Sequence, residues 1–309
     1  MAHETPTPGP RPRLLKARPV WDFLTETYAA WRRHQAQTLG AALAFYITFS
    51  MAPLLILITA VFGAILGRAT IQAEILRQVQ EFIGEQGAAT VKLMFGAAYL
   101  RGSGLTATII GLAVILIGST SAFVMLKQAL NVMWGAQPDQ AAPLWRLVKD
   151  RLLCCAMIML FGLLIVVSLL LSLGLSLLTS FFQSLLPLPP FSIQAADFML
   201  SLFLLTLLFA LTYKVLPDVD IAWTDVWIGA AITAVLFTLG KFLFGIYLAR
   251  SAISSAYGAA SSLAILLMWV FYSAQIFFIG AEITQVYANR YGSRVKPRTK
   301  KGGPGGPPL

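Results

Sequence analysis

The chain has 309 residues, 58% of them apolar and only 12% charged, with a mean hydropathy of +0.75. Soluble domains run near 45–50% apolar and about 25% charged, so charge this sparse excludes a soluble enzyme. Two His and two Cys leave little for a His/Cys metal site or a His-dependent active site, and the net charge of +10 shifts attention to where Lys and Arg sit.

Residues 1–19 are rich in Pro and Arg and lack an apolar run followed by a small-residue cleavage site; they read as a disordered basic segment, not a signal peptide. In 20–33, Val20, Trp21, Leu24, Tyr28 and Trp31 recur at helical spacing with Asp22, Glu26, Arg32 and Arg33 elsewhere. Trp and Tyr favour the headgroup layer, so this spacing predicts an amphipathic helix lying in the membrane interface.

A bilayer core of about 30 Å takes about 20 mostly apolar helical residues. No charge occurs between His34 and Arg68, which predicts a first span over about 41–66. It opens on Gly40, Ala41, Ala42 and Ala44 and carries Tyr46, Thr48 and Ser50 ahead of Pro53, which releases a backbone carbonyl. Two readings stay open, tight packing with a kink or the wall of a cavity. In the connection 67–103, Ile71, Ile75, Val79, Phe82 and Ile83 share one face. This second amphipathic helix either rests on the leaflet or the bundle, or acts as a lid over an opening.

A second span over about 104–126 lies between Arg101 and Lys127. A third starts after Arg151, at about 152–180, and the next charge, Asp197, is 46 positions beyond that arginine. Pro187, Pro189 and Pro190 divide this long run, giving a turn and a fourth span over about 198–216. Pro217, Asp218 and Asp220 follow Lys214; Thr224 and Asp225 look like a helix start, with Trp223 and Trp227 at the interface. The fifth span, about 226–249, contains Lys241; the sixth, about 260–286, carries Glu282 near its end. The small-residue run Tyr257-Gly258-Ala259-Ala260-Ser261-Ser262 precedes it and suits close helix approach. Residues 291–309 read as a disordered basic tail, a charge anchor and not a nucleic-acid arm. Cys154 and Cys155 are adjacent and read as small apolar fillers. The fold class is therefore all-α: a polytopic membrane protein with a bundle of six transmembrane helices over 20–290 and interfacial amphipathic helices.

Of the 23 Lys and Arg, 17 fall in the N-terminal segment, the second-to-third and fourth-to-fifth connections and the tail; 6 fall on the other side. The positive-inside rule then predicts both termini cytoplasmic.

Ionisable groups inside a span are costly and usually face protein or water. Lys241 and Glu282 lie about 16 Å apart in depth at 1.5 Å per residue, so they belong to different sites. Lys241 either snorkels outward or faces a wet cavity. Tyr272, Gln275, Glu282 and Gln285 form a polar stripe on the sixth span. Glu282 is level with Lys127 and Lys214, which predicts a Glu282–Lys127 or Glu282–Lys214 pair closing the cytoplasmic side. Candidate pathway or gating residues are thus Glu282, Lys241, Gln275, Lys127, Lys214 and Tyr46.

Four strings carry a resemblance: AALAFYITFSMAPLLIL (41–57), LNVMWG (130–135), LPDVDIAWTDVWIGA (216–230) and YGAASSLAILLMWVFYSAQIFFIGAEI (257–283). Together with Lys241 and Tyr247 they resemble the YihY/virulence factor BrkB family, in order, over roughly 20–290. The resemblance implies a six-span bacterial inner-membrane protein, described in the family as permease-like and tied to serum resistance and envelope lipid export. The family has also carried the label ribonuclease BN. The residues argue against nuclease chemistry, which needs clustered His and carboxylate ligands; this chain has only His3 and His34.

The function expected is a permease- or flippase-like handling of a lipid or amphiphilic envelope component, with membrane lipids as partners. No Gly-x-x-x-x-Gly-Lys-Ser/Thr loop occurs, so transport would draw on a gradient or an outside partner. The alternative is a non-transporting envelope scaffold. No enzyme activity, cofactor, metal or nucleic-acid partner is expected.

Overall fold

Long uncharged runs in hydrocarbon must satisfy every backbone N–H and C=O internally, and a helix does so within one segment. The computed structural model describes residues 19–98, 105–136, 144–183, 190–250, 261–293 and 296–297. Among these the chain forms α1 (Pro19–Arg33), α2 (Ala36–Leu66), α3 (Arg68–Ile83), α4 (Glu85–Ala98), α5 (Leu105–Met133), α6 (Leu144–Gln183), α7 (Pro190–Val215), α8 (Trp223–Arg250) and α9 (Ser261–Arg290). A two-residue antiparallel pairing joins β1 (Val219–Asp220) to β2 (Lys296–Pro297).

Six helices are long and apolar enough to cross a membrane: Ala36–Leu66, Ile115–Met133, Val148–Leu171, Phe198–Val215, Trp223–Leu248 and Leu263–Arg290. They answer to the six expected spans, with displaced ends. The helix of the second span continues to Met133 instead of stopping near 126, because Lys127 does not mark a boundary: its side chain is buried and paired. The proline turn at 184–189, the small-residue run 257–260 and the segment 1–18 lie outside the described residues.

The spans close into a ring: α2 packs on α5 and α9, α9 on α8, α8 on α7, α7 on α6, and α6 on α5. Glycine permits the closest of these approaches. A Cβ at Gly229 of α8 would overlap the Thr284 hydroxyl of α9, and a Cβ at Gly280 of α9 would overlap the Thr233 hydroxyl of α8. Those two hydroxyls donate to carbonyls one turn back, Thr233 to Gly229 and Thr284 to Gly280, each at 2.7 Å, so they are satisfied inside a dry interface. Tyr213 of α7 is fully buried beside them and donates to the Phe277 carbonyl at 2.7 Å. On the opposite flank α2 runs unbroken through Pro53, whose ring packs on Gly118 of α5; a Cβ there would lie 2.9 Å from Pro53 Cγ.

The amphipathic helices lie outside this ring. α1 packs against α9 through Thr27 and Ala30 and exposes Val20, Trp21, Leu24 and Tyr28. Arg290 at the end of α9 reaches Glu26 of α1 at 3.7 Å, so the start of α1 and the end of α9 share one end of the bundle. α3 is bracketed by Gly67 and Gly84 with φ of 89° and 82°, left-handed values that glycine tolerates and that let the chain reverse twice. Ile71 and Ile75 are buried as α3 packs on α2 and α4, and α4 also meets α9. The second amphipathic helix thus rests on the bundle.

Candidate functional site

The six residues singled out from the sequence do not converge; they divide between the two ends of the ring and its outer surface. At the end bearing α1 and the C-terminal end of α9, Glu282 is completely buried on α9. Its Oε1 lies 2.7 Å from Nδ1 of His34, the first residue after α1. Neither Lys127 nor Lys214 is its partner, which corrects the expected pairing. Lys127 Nζ contacts Asp150 of α6 at 2.6 Å and Asp218 in the α7–α8 connection at 3.1 Å. Asn131, one turn further along α5, clamps the same aspartate: its Nδ2 donates to Asp218 Oδ2 at 3.1 Å and its Oδ1 accepts the Asp218 N–H at 2.8 Å. Lys214 Nζ donates to the Ile221 carbonyl and stands 5.8 Å from the centroid of the Trp223 ring. Each lysine is claimed by a neighbouring element or connection, while Glu282 faces the α1–α2 joint.

Gln275, on the same helix as Glu282, directs Nε2 to the Ala36 carbonyl at 3.4 Å and occupies the space left by Gly40. Its Oε1, like Glu282 Oε2 and Trp31 Nε1, is buried with no hydrogen-bond partner among the described residues. Two more links hold this end. Trp134 Nε1 donates to the Ala281 carbonyl at 3.2 Å. Asp225 Oδ2 accepts the Ser293 N–H at 2.9 Å and the Ser293 hydroxyl at 2.8 Å. With β2 paired to β1, residues 293 and 296–297 of the basic tail are hydrogen-bonded to α8 and the α7–α8 connection. Hydrogen bonds and ion pairs therefore join α1, α5, α6, α9 and the α7–α8 connection at this end of the ring.

The far half differs. There a partly open cleft of about 490 Å³ is walled by α6, α7 and α8, with Phe161, Leu164, Ile165, Leu202, Leu205, Leu208 and Phe237 among its lining residues. From Phe198 to Leu208 the α7 wall spans about 15 Å at 1.5 Å per residue, half of a bilayer core of about 30 Å. The rim is polar and charged: Arg77, Gln78 and Glu81 come from α3 and Lys241 from α8. Lys241 Nζ donates to Glu81 Oε1 at 2.9 Å, tying α3 to α8. Lys241 thus lines the cleft.

Behind the rim, buried Glu74 accepts from Arg77 Nε at 2.9 Å, Arg77 Nη2 at 2.7 Å and Gln78 Nε2 at 2.9 Å. Burial pushes the Glu74 carboxyl up, but those donors and the Arg77 charge outweigh it and hold it below the usual carboxylate range. Tyr46 joins neither place. It is 42% exposed on α2, in a ring pair with Phe45 at 5.8 Å.

Sequence reasoning missed His34, Asp150 and Glu81. His34 carries no local pattern, and Asp150 sits in a basic stretch that reads as an interfacial anchor. Glu81 did leave a signal: Glu74, Arg77, Gln78 and Glu81 recur at helical spacing along a polar stripe flanking the apolar stripe of Ile71 and Ile75. Cys154 and Cys155 are not bridged, and among the described residues no group of three or more His, Cys, Asp and Glu is placed to hold a metal ion.

Six apolar spans in a closed ring define a polytopic helical membrane protein. Residues 27–303 match the family described as virulence factor BrkB, and the chain belongs to that family. A UPF0761 membrane protein of Tolumonas auensis is 37% identical over 75 residues, 24% of this chain and 25% of that protein. Another, of Ralstonia nicotianae, is 30% identical over 182 residues, 58% of this chain and 39% of that protein. A third, of Actinobacillus pleuropneumoniae, is 26% identical over 262 residues, 82% of this chain and 89% of that protein. The match spans less than two thirds of the first two relatives' length and most of the third's. No solved structure is similar to the chain.

Proposed function

We propose that the protein is a permease- or flippase-like component of the bacterial inner membrane that handles a lipid or another amphiphilic envelope molecule, with both termini cytoplasmic. One observation carries this reading: the cleft joins apolar walls one leaflet deep to a charged rim, at the half of the ring opposite the end cross-linked by ion pairs. Pockets of 300–1,000 Å³ with apolar walls and a few polar groups suit small amphiphiles. On this reading the chemistry is movement without bond making, with no catalytic residue, cofactor or metal. The driving force is a gradient or a partner protein, since the chain has no phosphate-binding Gly-x-x-x-x-Gly-Lys-Ser/Thr loop. The alternative, a non-transporting scaffold, draws on the dense polar ties at the terminus-bearing end.

The test is reconstitution of the purified protein into liposomes carrying a trace of headgroup-labelled lipid, with an impermeant quencher reading the inner-leaflet fraction. Transbilayer movement should exceed that in empty liposomes and fall to background in Leu205→Trp, which fills the cleft. Absence of movement in the folded wild-type protein, with no lipid retained through purification, would leave the scaffold as the function.

A further inference from the structure

The walls of the cleft change chemistry with depth. Asp150 near the start of α6 and Asp218 in the α7–α8 connection both meet Lys127, so α6 and α8 run from that end toward the rim and α7 runs back. At 1.5 Å per residue, Leu208, Leu205 and Phe161 lie about 10–16 Å from that end and form an apolar floor. Ser201 and Thr238 lie about 21–22 Å from it, and Ser168 about 27 Å, beside the rim. Each wall helix thus contributes one hydroxyl to a layer between the floor and the polar rim.

Hydroxyls on membrane helices commonly bond back to their own backbone. Thr206 and Thr212 of α7 and Thr233 and Thr238 of α8 do so, each donating at 2.7–2.8 Å to the carbonyl four residues before it. Ser168 and Ser201 differ: among the described residues neither hydroxyl has a partner on the backbone or on another side chain. Two donors therefore line the cleft, and below the rim no charged side chain lines it with them. An occupant with hydrocarbon on the floor and a polar end at the rim must offer these donors neutral acceptors or leave them unpaired. In such a molecule the group at that level is the linkage between chain and head. An ester places a carbonyl oxygen there; an ether has none to offer.

We propose that the cleft recognises its occupant at the acyl linkage: Ser168 and Ser201 donate hydrogen bonds to the carbonyl oxygens of ester-linked chains, and the ligand is a diacyl membrane lipid. This rests on the amphiphile reading above. Thr238, whose proton is already given to the Ala234 carbonyl, adds only a lone pair to the layer and is not a third donor.

The experiment incubates the full chain in mixed micelles with an equimolar set of four lipids of matched chain length: phosphoethanolamine and phosphoglycerol headgroups, each in a diacyl and a dialkyl-ether form. Native mass spectrometry then counts the retained lipid. For either headgroup the wild type should retain the diacyl form over the dialkyl form by roughly three- to tenfold, the scale of one net hydrogen bond. Ser168→Ala with Ser201→Ala should bring that ratio to about one by lowering diacyl retention, with dialkyl retention unchanged. Each single variant should give an intermediate ratio, so either serves where the double variant fails to fold. Equal retention of the two forms by the wild type, or a diacyl preference that survives the double substitution, would overturn the linkage assignment; loss of all four lipids in Leu205→Trp would then leave the amphiphile site standing. A double variant that loses both forms alike would also overturn it, because the serines would then shape the cleft without reading the linkage. Retention of no lipid by the folded wild type would overturn the amphiphile reading itself.

Discussion

His34 is the residue that most changes how Glu282 is understood. A carboxylate with no exposure, read alone, suggests a lysine partner; the chain supplies a histidine from the joint between α1 and α2, at 2.7 Å. Gln35, next to it, adopts a left-handed conformation with φ of 51°, uncommon for a residue with a Cβ. That geometry turns the chain from α1 into α2 and holds His34 against α9. Removing one partner of a buried polar pair costs about 3–5 kcal/mol, whereas replacing both by apolar groups is often near neutral. His34→Ala should therefore lower the unfolding temperature in detergent sharply, and His34→Ala with Glu282→Leu should recover most of the loss. Equal losses in the single and double variants would show that the pair is not the cause. Glu282→Lys with Lys127→Glu should give no recovery, since those side chains belong to separate clusters.

At the scale of elements, the contact between α8 and α9 is the tightest reading of small residues in the structure. Gly229 and Gly280 each sit against a threonine hydroxyl that is locked to its own helix, so neither neighbour can swing away. Gly280→Ala or Gly229→Ala should force the helices apart at a cost of about 1–3 kcal/mol. Gly245, on α8, has no neighbour within 4 Å of a Cβ, so Gly245→Ala should be neutral or stabilising by up to about 1 kcal/mol through helix propensity. Thermal unfolding of the three variants checks this; equal effects at Gly245 and Gly280 would mean that propensity, not packing, governs. The sequence marked the small residues at 40–44 and 257–262 as packing surfaces, but neither Gly229 and Gly280 nor the threonine each meets. Periodicity gives the face of a helix, whereas the partner depends on ring order and on the relative shift of two helices.

For the whole molecule, the arrangement divides into an end bound by ion pairs and an open half with a charged rim. Ring closure brings α1 and the end of α9 together, so the start and the finish of the membrane domain share one end. Reporter fusions at residues 30, 140 and 300 should give the same side, and a fusion at 85 the opposite side. A fusion at 140 that reports with 85 would break the six-span arrangement. The proposal that this side is cytoplasmic rests on its excess of Lys and Arg.

The sequence by itself determined the number and order of the spans, the two amphipathic helices and the placing of Lys241 and Glu282 on different helices at separate sites. The reason is that hydrocarbon enforces helices of set length, and rise per residue converts position into depth. It also held the polar face of α3 in plain periodicity, although Glu81 was not connected to Lys241, 160 positions away. What only the tertiary structure decided is rotation about each helix axis and the order of helices around the ring. Those two quantities separate Glu282 from Lys127 and Lys214, send Tyr46 to the outer surface, and set Lys241 opposite Glu81 at the mouth of the cleft. They arise from side-chain packing between segments distant in the chain, where glycines against threonines and a histidine at a turn decide which faces meet, and no local pattern encodes that.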